Sequence, residues 1–277
     1  MNIVLSVEKL NDLSICPRLY YYKHLLRKVP VRKADYLEAG ELIHHGLQLY
    51  YNSIADGNKI SLERLLDFTR NYAAEKLQLS VELIEATVKD LAMYYTYYTN
   101  LGENWVVESV EEPFAKVLYE SSDLRVIVNG KIDLRVVVNG GRGPRVLIDH
   151  KYESQFREKL DRDNQPLAYC WAYEVRDWIY NRIGKQKTYT PEKRLLRPYI
   201  NYSDSQIEEW KESTIELVSE LVRYEKLNKW PGKYTGCSFH GLKCTFYDVC
   251  NTTPDNREYK LENLFMDKEN KTVMEHE

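Results

Sequence analysis

The 277-residue sequence lacks several features that would assign it at once to a broad class of protein. It contains no run of eighteen apolar residues, which excludes a transmembrane helix and a membrane partner. Its first residues, MNIVLSVEKLNDLSICP, lack a basic segment followed by a long apolar core, so we expect no signal peptide and a cytoplasmic location. No G-x-x-x-x-G-K-[ST] motif and no internal repeat occur, so we expect no motor of its own and no solenoid.

An excess of positive charge is missing as well, because the net charge is −3. This value argues against indiscriminate binding to nucleic acid, but the charges are segregated along the chain. Residues 13–34 contain six Lys or Arg and no acid, residues 176–197 contain seven cations and two acids, and residues 201–220 contain six acids and one Lys. Such segregation could build a basic groove on an acidic protein, and ordinary solvated helix faces are the alternative.

Apolar periodicity predicts the order of the secondary-structure elements. We predict helices over 6–28 (broken at Cys16-Pro17), 38–54, 61–77, 81–101, 163–183 and 203–228, and strands over 104–120, 123–138, 145–153 and 195–203. This order of helices, strand meander, helix, strand and helix indicates an α/β or α+β core with a helical N-terminal region.

The stretch GKIDLRVVVNGGRGPRVLIDHK, residues 130–151, predicts a hairpin with polar side chains on apolar strands. Its turn, NGGRGP, supplies the positive φ values that a chain reversal needs. If Val138 pairs with Arg145, Asp133 lies next to Asp149, and a slip of one residue places these two aspartates directly opposite each other. Two carboxylates so close repel unless a proton or a cation lies between them. The sequence therefore predicts either a divalent-metal site or a solvated hairpin with scattered charge.

The hairpin resembles the active-site motif of the PD-(D/E)XK nuclease superfamily, in which an apolar strand ending in Asp precedes a strand that carries Asp-x-Lys. Two further segments resemble the RecB-like branch of that superfamily. GELIHHGL matches its Gly-x-x-x-His helix at His44, and QPLAY matches its Gln-x-x-x-Tyr motif at Gln165 and Tyr169. The resemblance covers residues 6–250 and implies a restriction-endonuclease-like fold with a central mixed sheet flanked by helices.

The resemblance also implies a role for each matched residue. Asp133, Asp149, the His150 backbone carbonyl and His44 would bind Mg²⁺ or Mn²⁺. Lys151 would orient or help deprotonate the attacking water and stabilise charge on the phosphate. Gln165 and Tyr169, one helical turn apart, would position the substrate strand.

Other interpretations of these residues stay open. A histidine on a helix is commonly a core or surface residue, and His44 is preferred to His45 only on its spacing from Gly40. Glu111 and Glu112 precede the hairpin by one strand and could add a carboxylate or lie on the surface.

Four of the five cysteines form a pattern of their own. Cys237, Cys244 and Cys250 cluster near the C-terminus, and Cys16 stands in CPRLYYYK, a context similar to the first cysteine of iron–sulfur RecB-like nucleases, which include AddB-type and CRISPR-associated enzymes. That resemblance implies a [4Fe–4S] cluster joining the two ends of the nuclease domain. The spacing departs from it, because the first interval is Cys-x6-Cys where the family has Cys-x2-Cys. A zinc site of the four thiolates, or with His240 replacing one, is the alternative. Cys170 is expected to be a small buried apolar residue.

We therefore expect a Mg²⁺- or Mn²⁺-dependent DNA exonuclease with a structural iron–sulfur cluster, acting on single strands or duplex ends in recombination, repair or replication, with a phage gene as one origin. A CRISPR-adaptation-type nuclease and a catalytically idle DNA-binding module with a zinc site are the alternatives. The expected organisation is one nuclease domain, 1–250, and a polar tail, 251–277. The domain would comprise a helical N-terminal part, 1–103, a catalytic core, 104–200, and a C-terminal helix with the cysteine cluster, 201–250.

Overall fold

The structure is a computed structural model that describes residues 1–31, 34–156, 164–239 and 242–268. It contains two compact units. Unit 1 comprises residues 1–33, 117–128 and 209–277, and unit 2 comprises residues 34–116 and 129–208. Within the described residues, every helix is too short or too polar to cross a membrane.

Helices come first, a strand meander follows, and a helix, further strands and a long helix come next, which is the order that the sequence predicts. The helices are α1 Val7–Ile15, α2 Pro17–Tyr20, a π-helical turn Tyr21–Leu25, α3 Asp35–Ala55, α4 Leu62–Lys76, α5 Val81–Asn100, the short turn α6 Val138–Gly141, α7 Asn164–Tyr173, α8 Pro191–Arg194, α9 Asp204–Leu227, α10 Tyr247–Cys250 and α11 Arg257–Leu264. The strands are β1 Asn2–Ser6, β2 Lys28–Pro30, β3 Val106–Glu120, β4 Arg125–Val137, β5 Arg145–Glu153, β6 Asp177–Gly184, β7 Leu195–Leu196, β8 Tyr199–Asn201, β9 Ser238–Phe239, β10 Leu242–Lys243 and β11 Phe265–Asp267.

Unit 2 is built on a mixed sheet. β4 pairs antiparallel with β5, β5 pairs parallel with β6, and β6 pairs antiparallel with β7 and β8, while β3 pairs with β4. The adjoining strands β5 and β6 are largely buried and rich in apolar residues, as expected for parallel strands covered on both faces. Side chains from α3, α4 and α5 pack with those of β4, β5 and β6 in one apolar core. The predicted mixed sheet flanked by helices is therefore confirmed.

The predicted helix over 163–183 is wrong in its second half. Helix α7 ends at Tyr173, Glu174 adopts a left-handed φ of 57°, and β6 begins at Asp177. The side chains of Trp178, Tyr180 and Ile183 are buried in the sheet. Large β-formers on a strand buried on both faces give a continuous apolar pattern, which periodicity alone does not distinguish from a buried helix.

Unit 1 has a smaller apolar cluster formed by Tyr22, Phe246, Val249, Leu261 and Phe265. Strand β11 pairs antiparallel with β2, so Phe265 lies opposite Pro30. Residues 257–267, which lie in the predicted polar tail, are thus a helix and a strand with two core side chains. Residues 269–277 of that tail lie outside the described residues.

Candidate active site

The β4–β5 hairpin adopts the slipped register that the sequence leaves open. Leu134 pairs with Ile148 and Val137 with Arg145. Extending this register by one residue places Asp133 opposite Asp149. Between the strands, Asn139, Gly140 and Gly141 have positive φ values of 55°, 62° and 85°, so the turn uses the conformations that Asn and Gly adopt at low cost.

Asp133 lies among groups with opposing effects on its charge. Its Oδ2 accepts a hydrogen bond of 2.8 Å from the His150 backbone N–H and lies 3.5 Å from Nδ1 of His44. Burial raises the pKa of Asp133 to about 6, with a further increase from Asp149, while the nearby His44 lowers it. The loss of hydration therefore disfavours the ionised carboxylate more than its neighbours stabilise it, so the described neighbours do not fully balance its negative charge.

Asp149, Lys151 and Gln165 form a connected polar group on the neighbouring strand and on α7. Oδ1 of Asp149 accepts a hydrogen bond of 2.8 Å from Nε2 of Gln165, and its Oδ2 lies 2.6 Å from Nζ of Lys151. Nζ of Lys151 also donates to Oε1 of Gln165 at 3.2 Å. The amide of Gln165 thus joins the carboxylate to the ammonium and fixes the orientation of both.

Tyr169 anchors α7 to β4. Its hydroxyl donates to the Lys131 carbonyl at 3.0 Å and accepts from the Lys131 N–H at 3.3 Å. Its ring lies 5.2 Å from that of Phe114, edge to face. A Cβ at Gly130 would come within 2.8 Å of Phe114 and 3.0 Å of the Tyr169 hydroxyl, so glycine allows this close approach. Tyr169 contacts the strand that carries Asp133, one helical turn from Gln165.

The two adjacent histidines of α3 have different surroundings. His44 faces Asp133, and its side chain is 34% exposed. His45 instead stacks on Tyr72 of α4, with ring centroids 3.9 Å apart, and burial lowers its pKa. The structure therefore brings the histidine selected by spacing, and not its neighbour, to the hairpin.

Glu111 also lies close to His44 and Asp133. The sequence left open whether this glutamate would add a carboxylate near the metal or lie on the surface. Ligand atoms of His44, Glu111 and Asp133 all lie within 4.8 Å of one another. Glu111 adopts a left-handed φ of 54° within β3 and forms an ion pair with Lys131. A non-glycine residue in this conformation on a strand marks a local distortion that turns its side chain. Glu112 contacts Arg135 and Ser109 instead. No sequence signal distinguishes the two glutamates before the backbone is known.

The side chain of His150 lies on the face of β5 opposite that of Asp149 and is buried. Its Nδ1 lies 2.7 Å from Nδ2 of Asn181, and its ring stacks on Tyr51 with centroids 5.7 Å apart. Burial, with smaller contributions from His44, Arg197 and Lys151, holds the pKa of His150 well below its usual value. The neutral imidazole of His150 therefore packs on one face of β5, while the backbone N–H of His150 donates a hydrogen bond to Asp133.

The side chains at the hairpin suit a divalent cation. They offer carboxylate oxygens and one imidazole nitrogen, the donor set that Mg²⁺ and especially Mn²⁺ accept. Oδ2 of Asp149 is buried and receives no hydrogen bond from the described residues, so its contact with Lys151 is an ion pair alone. A buried carboxylate oxygen with spare coordination and a neighbouring carboxylate with a raised pKa are both features that a cation would stabilise.

The four patterned cysteines come together within unit 1. They line one cavity of about 60 Å³. Cys16 is buried, its sulfur accepts from the Lys233 N–H at 3.3 Å, and the Cys244 N–H donates to the Cys237 carbonyl at 2.9 Å. Burial raises the pKa of Cys244 and of Cys250, and the neighbouring cysteines contribute to both shifts.

The donor set bears on which group the four cysteines fit. All four donors at this cavity are sulfur atoms. Four thiolates are a donor set of both tetrahedral zinc sites and iron–sulfur clusters, so the residues fit either group. His240 lies outside the described residues, and Cys170 is fully buried in α7 of unit 2, where burial raises its pKa to about 12.

Three of the seven cations in the basic segment 176–197 form ion pairs inside unit 2. Arg182 pairs with Glu153, Arg194 with Asp90 and Arg197 with Glu103, and all three guanidinium groups are largely buried. Arg176 forms an exposed pair with Asp204. These cations are used inside unit 2, because carboxylates distant in sequence face them. In segment 13–34, Lys23 pairs with Glu8 and Asp12, and Lys28 with Asp267, while Arg32 and Lys33 lie outside the described residues.

Comparison with known proteins identifies a family whose profile includes the hairpin and the helices around it. The profile of the PD-(D/E)XK nuclease superfamily matches residues 4–251, so the chain belongs to that superfamily. No curated protein matches the sequence. Among solved structures, a candidate exonuclease from Eubacterium rectale is similar over 90% of this chain and 88% of its own, with 11% identity and a TM-score of 0.50. LHK-Exo, solved in complex with dAMP, is similar over 68% of this chain and 95% of its own, with 14% identity and a TM-score of 0.34.

Proposed function

We propose that the chain is a metal-dependent deoxyribonuclease that degrades DNA from its ends. The observation that carries this proposal is the group at the β4–β5 hairpin, where two opposed aspartates lie beside a lysine and a histidine within a nuclease fold. The similarity in fold to a candidate exonuclease supports attack at ends. Recombination, repair and replication are the processes that use such an activity.

His44, Asp133, Asp149 and the His150 carbonyl would hold the metal, with Glu111 as a further carboxylate. When bound, Mg²⁺ or Mn²⁺ supplies a water of lowered pKa and neutralises charge on the phosphate. Lys151, half-buried beside Asp149, would donate hydrogen bonds to a non-bridging phosphate oxygen or orient the attacking water. Gln165 would keep Lys151 and Asp149 in place, and Tyr169 would hold α7 against β4.

The test is cleavage of end-labelled oligonucleotides, single- and double-stranded, with Mg²⁺, Mn²⁺ or EDTA. We expect the wild-type protein to release short products only with metal, and Asp149→Asn and Lys151→Ala each to lower the rate about a hundredfold or more. Lys187→Ala is the matched control, because this lysine is exposed on unit 2 and distant in sequence from the hairpin. Near-wild-type rates in either site variant contradict the assignment. Metal-independent DNA binding without cleavage favours the idle binding module.

We propose further that Cys16, Cys237, Cys244 and Cys250 hold a [4Fe–4S] cluster whose role is structural. The convergence of the four thiols at one cavity supports this proposal, and a zinc site of the same thiolates is the alternative.

A further inference from the structure

Besides the cysteine-lined cavity of unit 1, the structure has a cavity of about 260 Å³ in unit 2. It is formed by the last turns of α3 and α5 and by the start of β3. Its walls include Tyr50, Tyr51, Tyr98, Trp105, Glu103 and Lys59. Tyr51 follows His44 by seven residues, so the cavity lies about 10 Å along α3 from the hairpin site. Neither the superfamily profile nor the hairpin site accounts for it.

The wall of the cavity contains a buried ion pair. Glu103 pairs with Arg197, whose guanidinium carbon lies 3.4 Å from the centroid of the Tyr98 ring and 4.1 Å from that of Trp105. The position that an organic cation would take between these rings is therefore filled by Arg197 itself. Oε2 of Glu103 has only a long hydrogen bond, 3.4 Å, from the Tyr51 hydroxyl among the described contacts, so it can accept a better donor.

Lys59 gives the cavity its net charge. Lys59 and Glu103 are the charged residues of the lining. Because Arg197 outside the lining neutralises Glu103, the positive charge of Lys59 remains. Lys59 is exposed, its Nζ donates to Oγ1 of Thr99 at 2.9 Å, and it lies 5.8 Å from the Tyr50 ring centroid. A ligand that suits these walls has an aromatic ring, a polar N–H and a negative group.

We propose that this cavity binds a mononucleotide. The base would lie against Trp105, which is only half-buried, and donate an N–H to Glu103, while the phosphate would bind Lys59. Any base can stack on an aromatic side chain, because every base has a π-face. The volume admits one ring system and is smaller than the roughly 300–1,000 Å³ of sites for larger ligands. The inference rests on the proposed function in one respect, because an exonuclease generates mononucleotides as its products.

The test is calorimetric titration of the full chain with dAMP, dGMP, dCMP and dTMP in EDTA, so that binding is measured without cleavage. We expect at least one nucleotide to bind with a Kd below about 1 mM. Lys59→Glu and Trp105→Leu should each weaken binding about tenfold or more. Lys89→Glu, the control, reverses an exposed charge on α5 outside the cavity and should leave the Kd unchanged. The matching deoxynucleoside should bind more weakly than its nucleotide.

The inference is overturned if none of the four nucleotides binds, or if binding is equally strong in wild type, Lys59→Glu and Trp105→Leu. Because Lys59 is exposed, its variant is expected to fold even if Trp105→Leu does not. DNA cleavage with no nucleotide binding in EDTA rejects the cavity assignment alone. Nucleotide binding that depends on Lys59 and Trp105, in a protein that cleaves no DNA, rejects the nuclease proposal alone.

Discussion

At the scale of single residues, the burial of Asp133 at the hairpin makes the stability of the protein depend on pH. Its pKa of about 6 lies above the value of about 3.9 found in unfolded chains. Between about pH 4 and 6 the folded protein therefore binds this proton more tightly than the unfolded chain does. The resulting contribution to stability is present below about pH 4 and is lost as the pH rises through about 6.

For the metal-free protein, we predict that this group raises the free energy of unfolding by about 2 kcal/mol when the pH falls from 7.5 to 4. Asp133→Asn should remove this contribution and stabilise the metal-free protein near neutral pH, because the amide needs no counter-charge. Urea unfolding in EDTA at several pH values measures both effects. Asp123→Asn, at an exposed position, is the control. Parallel stability curves for wild type and Asp133→Asn across this range contradict the proposed proton site.

Much of the hairpin site could be predicted from individual residues, because its side chains occur in motifs with fixed spacing. Spacing predicted that the two aspartates would be neighbours and selected His44 over His45. It could not predict Glu111, whose side chain depends on a left-handed φ within β3. Nor could it predict that the Tyr169 hydroxyl binds the backbone at Lys131, since that contact depends on how α7 packs on β4.

At the scale of elements, α8 and the start of β7 are joined to α5 by a buried ion pair. Nη2 of Arg194 lies 2.5 Å from Oδ1 of Asp90, and its Nε donates to the Gly184 carbonyl at 2.9 Å. The Tyr152 hydroxyl donates to the other carboxylate oxygen of Asp90 at 2.7 Å. Removing the cation would leave a buried carboxylate with one neutral partner among these contacts.

We predict that Arg194→Met lowers the free energy of unfolding by about 3–5 kcal/mol, because a buried charge loses its counter-ion. Adding Asp90→Asn should recover part of the loss, which a double-mutant cycle would measure. Arg176→Met is the matched control from the same segment. Its pair with Asp204 is exposed, so the change should be within about 1 kcal/mol. Equal losses in the two single variants contradict a buried role for Arg194.

The elements also reveal what local sequence could not encode. The limits of α3, α4 and α5 follow from apolar periodicity and from caps such as Ser61, whose hydroxyl accepts from the Arg64 N–H. The division of 163–183 into α7 and β6 depends on burial of both faces of β6, a property of the assembled sheet. Nor could local sequence predict the burial of Arg182, Arg194 and Arg197, because their carboxylate partners lie far along the chain.

At the scale of the whole molecule, the cysteine group joins the N-terminal and C-terminal parts of unit 1. We predict that protein purified without oxygen contains about four irons per chain and absorbs broadly near about 400 nm. Cys16→Ser should lose the iron and become sensitive to protease, since a link between distant residues can contribute roughly 4–5 kcal/mol. Iron analysis, absorbance and limited proteolysis measure these effects.

Cys170→Ser is the control, because this thiol is buried in unit 2 and lies apart from the other four in the sequence. It should retain full iron content, even if its new hydroxyl lowers stability. If metal analysis of the wild-type protein finds one zinc and no iron, the cluster assignment is wrong and the site is a zinc site. Unchanged iron in Cys16→Ser would contradict the ligand assignment altogether.

Unit 1 is assembled from three separate stretches of chain, whereas all of unit 2 is encoded between the first and the last of them. During synthesis, residues 34–203 leave the ribosome before α9 and the three C-terminal cysteines do. Unit 2 can therefore form its local helix and hairpin contacts early, while Tyr22 of unit 1 must wait for Phe246 and Phe265. The N-terminal segment with Cys16 therefore remains without its partners from the third stretch of unit 1 until unit 2 has been synthesised.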